Sequence, residues 1–250
     1  RVQSVAVRLV VERERAIDEF VPVEYWSMEA SLGQEKTRAV AKRPLFTAKF
    51  HKLNGENPVL NSAEDVQPHL DTLEKATWTM GKVRRGTRKR RPAAPFTTST
   101  LQQEASRQLK FGTSKTMRVA QQLYEGIDIG EKDAVGLITY MRTDSVTVAK
   151  EAKDEARAYI KTAFGDDYVP AKSPVYKTKS KSAQEAHEAV RPTSANRSPK
   201  AMKPFLKRDQ YRLYKLIWDR FMASEMENAV YDTISADVWA GDADVDVLKR

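Results

Sequence analysis

Two strand-like stretches bracket a block that reads as helical almost throughout, and this bracketing limits the fold more than any other feature of the 250-residue chain. Before the block, residues 82–91 run Lys-Val-Arg-Arg-Gly-Thr-Arg-Lys-Arg-Arg, seven bases with no acid. Like charges at this density repel one another, so the run is predicted to be a solvated strand end or loop. After the block, strand-forming residues return from Ala229. A chain that leaves a strand-rich region and later re-enters it predicts one domain interrupted by another, of α+β class.

The local signals fill in this outline. Val2, Val5, Ala6, Leu9, Val10, Ile17 and Phe20 recur at helical spacing until Pro22 stops them. Short strands are predicted over 25–32 and 45–53, the second closed by the turn Asn54-Gly55. A helix is expected from Ser62, with Asp65 as capping partner and Pro68 inside its first turns. Pro92 and Pro95 open the central block. Its helices are predicted from Ser99, capped with Gln102, to about Lys110; from near Ser114; after Ser145 as far as Gly165; and over about 207–226. The first two flank Gly112 as a helix-turn-helix would. Residues 166–200 read as a long loop.

Composition narrows the chemistry. Lys and Arg number 43 against 34 Asp and Glu, a net charge of 43 − 34 = +9 that suits a polyanionic partner. There is no cysteine. That excludes disulfides, a thiol nucleophile and Cys-based metal sites, and it suits a reducing compartment. No apolar run approaches the roughly 20 residues of a membrane span. Gly112-Thr-Ser-Lys115-Thr lacks the glycines of a nucleotide-binding P-loop. Asp242, Asp244 and Asp246 lack the glycine an EF-hand requires, since Val247 holds that place, and they read as an acidic strand edge. The chain opens on Arg1 with its helical pattern already under way, as a piece of a longer protein would.

Two stretches carry candidate chemistry. In Gly136-Leu-Ile-Thr-Tyr-Met-Arg-Thr-Asp-Ser145, a short apolar strand delivers Tyr140, then Arg142, then a helix start at Asp144-Ser145. Phenols ionise near pH ~10, so tyrosine is a weak nucleophile unless assisted. A guanidinium beside one favours the phenolate and stabilises a pentacovalent phosphorane. Residues 140 and 142 share a face if the segment is extended, and the following helix start would offer free N–H groups to phosphate. The same spacing also fits a buried strand tyrosine followed by an ordinary N-cap. In Ala183-Gln-Glu-Ala-His-Glu-Ala-Val-Arg-Pro-Thr193, His187 suits phosphate contact or proton relay, and equally a surface loop histidine.

These two stretches resemble the signature of the type IA DNA topoisomerases, in their bacterial topoisomerase I branch. Arg1-Val-Gln-Ser-Val-Ala-Val-Arg-Leu-Val-Val-Glu-Arg-Glu is similar to the family's helix after its DNA-contacting segment. Pro95-Phe-Thr-Thr-Ser-Thr-Leu-Gln-Gln-Glu-Ala and Thr116-Met-Arg-Val-Ala-Gln-Gln-Leu-Tyr-Glu-Gly126 resemble the segments leading to its tyrosine. The matches follow family order over nearly the whole chain. Met141 points to this branch rather than to topoisomerase III, which usually has Pro there, or reverse gyrase, which often has His.

The resemblance implies ATP-independent relaxation of negatively supercoiled DNA through a 5′-phosphotyrosyl break in one strand, strand passage and resealing. Tyr140 would be the nucleophile, with Arg142 on the scissile phosphate and Asp144 and His187 nearby. Arg1, Val2, Gln3, Arg142 and Arg191 would contact DNA. Mg²⁺ would be held by a toprim domain that this sequence lacks, with no metal bound in this piece. The family's zinc ribbons are missing too, and the piece is not expected to relax DNA alone. Single-stranded and supercoiled DNA would be the partners of a monomeric, cytoplasmic, nucleoid-associated parent. The implied architecture is a β-rich arch of residues 22–98 and 228–250 acting as a hinge. A helical, winged-helix-like domain at 99–227 would carry the tyrosine, and residues 1–21 would be a stub of the DNA groove. A non-catalytic single-stranded DNA-binding module is the alternative. A tyrosine recombinase does not fit, because its Arg-His-Arg set precedes the tyrosine, whereas His187 follows Tyr140.

Overall fold

The computed structural model describes residues 2–33, 45–53, 55–176 and 188–241. It divides into two compact units, Arg1–Gly86 with Thr233–Arg250, and Thr87–Asp232. The division falls inside two long strands. No described helix is long and apolar enough to cross a membrane.

The first unit holds helix α1 (Val2–Asp18), strands β1 (Glu29–Leu32) and β2 (Phe46–Lys49), and helix α2 (Ala63–Lys75). The strands pair antiparallel, Glu29 opposite Lys49 and Leu32 opposite Phe46. Both are shorter than their sequence pattern; the Trp26 N–H leaves the ladder for Leu60 O at 2.8 Å, whereas Phe50 N–H still reaches Met28 O at 2.9 Å. Ser62 caps α2 in a true capping box, its hydroxyl accepting from Asp65 N–H while the Asp65 carboxylate accepts from Ser62 N–H. Pro68 is accommodated within this helix. Met28, Leu60 and Val66 form a small core beneath Phe50 and Leu73.

Strands β3 (Trp78–Arg90) and β4 (Ala229–Ala240) make a separate two-stranded ribbon. Its course is antiparallel: Gly241 N–H donates to Thr77 O at 3.1 Å, and Arg84 pairs with Asp237 at 3.0 Å. Gly81 lies under Trp239, where a Cβ would come within 1.8 Å of the indole nitrogen, so only glycine fits. The basic run is thus strand, exposed from Lys82 to Arg90 as its charge requires.

The second unit contains the main core, in which Phe96, Leu101, Leu123, Leu137, Ile138, Met141 and Ile160 are buried with residues of the last helix. Helix α3 (Thr98–Glu104) runs into a π-helical turn, Ala105–Leu109, that ends at left-handed Lys110. Its cap is Thr97 rather than Ser99. Thr97 and Thr100 exchange side-chain and backbone bonds, which places Ser99 already inside the first turn. Helix α4 (Thr113–Glu125) follows, then α5 (Lys150–Phe164), the short α6 (Pro199–Met202) and α7 (Arg208–Ser224). Along α7, Leu213, Tyr214, Ile217, Trp218, Phe221 and Met222 are buried, while Tyr211 stays partly exposed.

One expectation fails here. Helix α5 begins at Lys150, five residues later than Ser145 implied. Ser145 N–H bonds Thr143 Oγ1 at 3.0 Å and Thr147 N–H bonds Ser145 Oγ at 3.1 Å. These local side-chain acceptors compete with helix formation and keep the segment out of the helix. The N–H groups after Asp144 are therefore not a helix start open to phosphate.

Candidate active site

The segment from Leu137 to Ser145 joins no sheet and bends at Met141; one isolated bridge ties Ile138 to Pro192. Its side chains alternate strictly from residue 140 onward. Met141, Thr143 and Ser145 are buried, whereas Tyr140, Arg142 and Asp144 are exposed. This alternation turns the phenol, guanidinium and carboxylate to solvent, over an inward row that fixes the backbone.

Three anchors hold this segment. The first is Thr98 at the start of α3. Its hydroxyl donates to Met141 O at 2.7 Å and accepts from Thr143 N–H at 2.8 Å, and its own N–H donates to Thr143 O at 2.9 Å. The carbonyl before Arg142 and both backbone groups after it are thereby committed. The second is Thr139, whose hydroxyl donates to Ala189 O at 2.7 Å and accepts from Arg191 N–H at 3.0 Å. The third is α4. Leu137 N–H donates to Leu123 O at 2.7 Å, and Gly136 passes so close that a Cβ would lie 2.7 Å from Tyr124 O.

Glu188 joins two of these parts. One carboxylate oxygen accepts from Ala149 N–H at 2.6 Å, at the start of α5, and the other pairs with Arg191 at 2.6 Å. The Arg191 side chain is only 11% exposed. Its guanidinium is largely covered, bonded to Glu188 and to Pro192 O at 3.0 Å, while its Nε has no partner among the described residues. Further along the loop, Glu155 accepts from Ser194, Ala195 and Asn196. Burial pushes this carboxyl up, but those hydrogen bonds outweigh it and hold it below the usual range. Tyr214 and Trp218 on α7 donate to Arg197 O and Ala195 O, so the loop rests on the core.

The structure therefore exposes Tyr140, Arg142 and Asp144 within five residues of one another, and holds Arg191 largely covered against Glu188. Gln3 is exposed on α1, in the other unit. Arg1, His187, Asp242, Asp244 and Asp246 lie outside the described residues, as does the side chain of Val2. Among the described residues, no group of three His, Asp or Glu side chains could hold a metal ion. Sequence reasoning did not single out Thr98, Thr139 or Glu188. The spacing of Glu188 and Arg191, three apart with opposite charge, was the one legible signal among them.

A family model described as DNA topoisomerase matches residues 1–248. Among solved structures, the chain is similar to full-length topoisomerase I from Thermotoga maritima, with 33% identity and a TM-score of 0.72. The likeness covers 96% of this chain and 38% of that one, so the chain spans well under half the length of the solved relative.

Proposed function

This chain belongs to the bacterial DNA topoisomerase family, and on that premise we propose that Tyr140 is the residue through which it breaks and rejoins one DNA strand. The phenolic oxygen attacks a backbone phosphorus and gives up its proton. The 3′ oxygen leaves and takes a proton, so one phosphodiester is exchanged for a 5′-phosphotyrosyl ester and a free 3′-OH. Resealing is the reverse attack by that hydroxyl. Because the ester bond is conserved throughout, no ATP is consumed.

One observation carries this reading: 140, 142 and 144 are the exposed members of a strictly alternating segment. A buried strand tyrosine would not be 48% exposed beside an exposed guanidinium. Arg142 supplies positive charge to the crowded phosphate, a contribution of about 3 kcal/mol by analogy with oxyanion-hole donors. Asp144 sits at the same surface to orient the strand or tune proton transfer. Arg191 acts through its pair with Glu188 and its backbone bonds to Thr139, as a brace under the tyrosine. His187, with Arg1, Val2 and Gln3, takes its DNA-facing role from the family resemblance alone. The same source assigns Mg²⁺ to a toprim domain, not to residues of this chain.

The test is covalent trapping on a labelled single-stranded oligonucleotide. The chain is assayed alone and with a separately supplied toprim polypeptide plus Mg²⁺, each against Tyr140→Phe. A Tyr140-dependent adduct bearing the 5′ phosphate supports the reading. Tyr140-independent adducts, or none in either arm, overturn it and leave a DNA-holding module, the reading that the exposed basic strand favours.

A further inference from the structure

A second charged feature lies apart from the tyrosine surface, where α4 and α7 pack together. Lys115, Arg118, Lys207, Arg208 and Arg212 line an open cavity of about 570 Å³ whose only acid is Asp209. Lys115 pairs with Asp209 at 2.6 Å, and Arg212 comes to 3.9 Å from the same carboxylate. These contacts hold Asp209 below the usual carboxylate range, chiefly through its hydrogen bond from Lys115. One acid among five bases leaves a net charge of +4 on the lining. Arg118, Lys207 and Arg208 are exposed.

The floor is built rather than incidental. Gln210 is 8% exposed, accepts from Lys207 N–H at 3.0 Å and donates to Gln122 of α4 at 3.1 Å. Arg212 also donates to Leu109 O at 3.0 Å. Phe111 is 2% exposed, covered by Lys115 at 4.3 Å and Arg212 at 5.0 Å from its ring centre. No open aromatic face lines the cavity on which an unpaired base would stack, and stacking is what single-strand sites use. A lining of long cationic side chains over a covered ring suits the phosphates of a paired double helix.

We propose that this α4–α7 cavity is a second DNA contact that grips the backbone of a duplex segment, separately from the strand cleaved at Tyr140. It rests on the topoisomerase reading above for its ligand. Helix α4 ties the two places together. Lys115 is nine residues before Tyr124, so along the axis they stand roughly 14 Å apart. That distance corresponds to about four base-pair steps of duplex.

The experiment measures binding of a blunt duplex oligonucleotide to the full chain by fluorescence anisotropy across a salt series. The variants are Arg118→Gln with Arg208→Gln, and Lys150→Gln with Lys200→Gln as an equal charge loss elsewhere on the unit. Single-strand trapping at Tyr140 is followed in parallel. Loss of two phosphate contacts is expected to lower the salt slope by about 1.8 and weaken duplex binding roughly sixty-fold near 0.1 M salt. The control pair and the trapping yield are expected to hold. An unchanged slope in the Arg118/Arg208 variant, or an equal loss in the control pair, overturns the proposal. Failure to bind duplex while Tyr140 adducts still form overturns it alone, whereas absence of any adduct points instead to failure of the topoisomerase reading.

Discussion

The rings of Tyr124 and Tyr140 meet edge to face, with centres 5.3 Å apart and planes inclined by 62°. Tyr124 comes from the last turn of α4 and Tyr140 from the extended segment, so a rigid helix steadies the proposed nucleophile from one side. Such pairs contribute about 0.5–1.5 kcal/mol beyond burial. Tyr124→Ala is expected to slow adduct formation at Tyr140 by roughly three- to tenfold, with little change in melting temperature because residue 124 is itself 41% exposed. Tyr124→Phe should keep the edge contact and the rate. A wild-type rate in the alanine variant would show that the contact does not position the ring.

Thr98 makes a sharper case. Thr98→Val keeps the shape but leaves the Thr143 N–H and the Met141 carbonyl without their side-chain partner, at a cost of about 2–3 kcal/mol. Thr98→Ser retains the hydroxyl and should restore most of it. Denaturant melts of the two variants check the stability. A fall in adduct yield for Val but not Ser, under conditions where both are folded, checks the positioning.

Removing Glu188 deprives two donors at once. Glu188→Ala leaves the Arg191 guanidinium inside the fold without its acid and the start of α5 without its acceptor. The expected loss is about 2–4 kcal/mol, below that of a fully buried pair because Glu188 is partly solvated. Glu188→Gln keeps one acceptor for Ala149 and should fall between. Thermal denaturation ranks the three proteins.

Two carboxyls give opposite pH dependence. Glu155 is held below its ordinary value of 4.5 because hydrogen bonds from Ser194, Ala195 and Asn196 outweigh burial. Its contribution is therefore present above that value and lost as pH falls through the folded one. Glu155→Gln should be less stable near neutrality and lose less on acidification. Glu225 is fully buried in the fold and raised by burial, with Ser173 and the charges of Lys153 and Arg157 only partly offsetting it. Its contribution is present at low pH and lost as pH rises through its folded value, so Glu225→Gln should gain stability relative to wild type toward neutral pH. Melting temperatures from about pH 3 to 8 separate the two.

The sequence by itself determined the local grammar. Ser62 and Asp65 carried a complete capping box within four residues, and the apolar stripe of α7 sat on one helical face. The joint exposure of Tyr140 and Arg142 followed from the two-residue period of an extended chain. These features depend on neighbours close in sequence, so a short window holds all the information they need. Tertiary structure decided the rest. Helix α5 starts at Lys150 because Thr143, Ser145 and the distant Glu188 supply other partners for the intervening N–H groups. Arg191 is turned inward by Glu188, and Thr98 grips a backbone 45 residues away. A hydroxyl or guanidinium bonds whatever the fold brings within about 3 Å. That is a distance through space, which spacing along the chain does not encode.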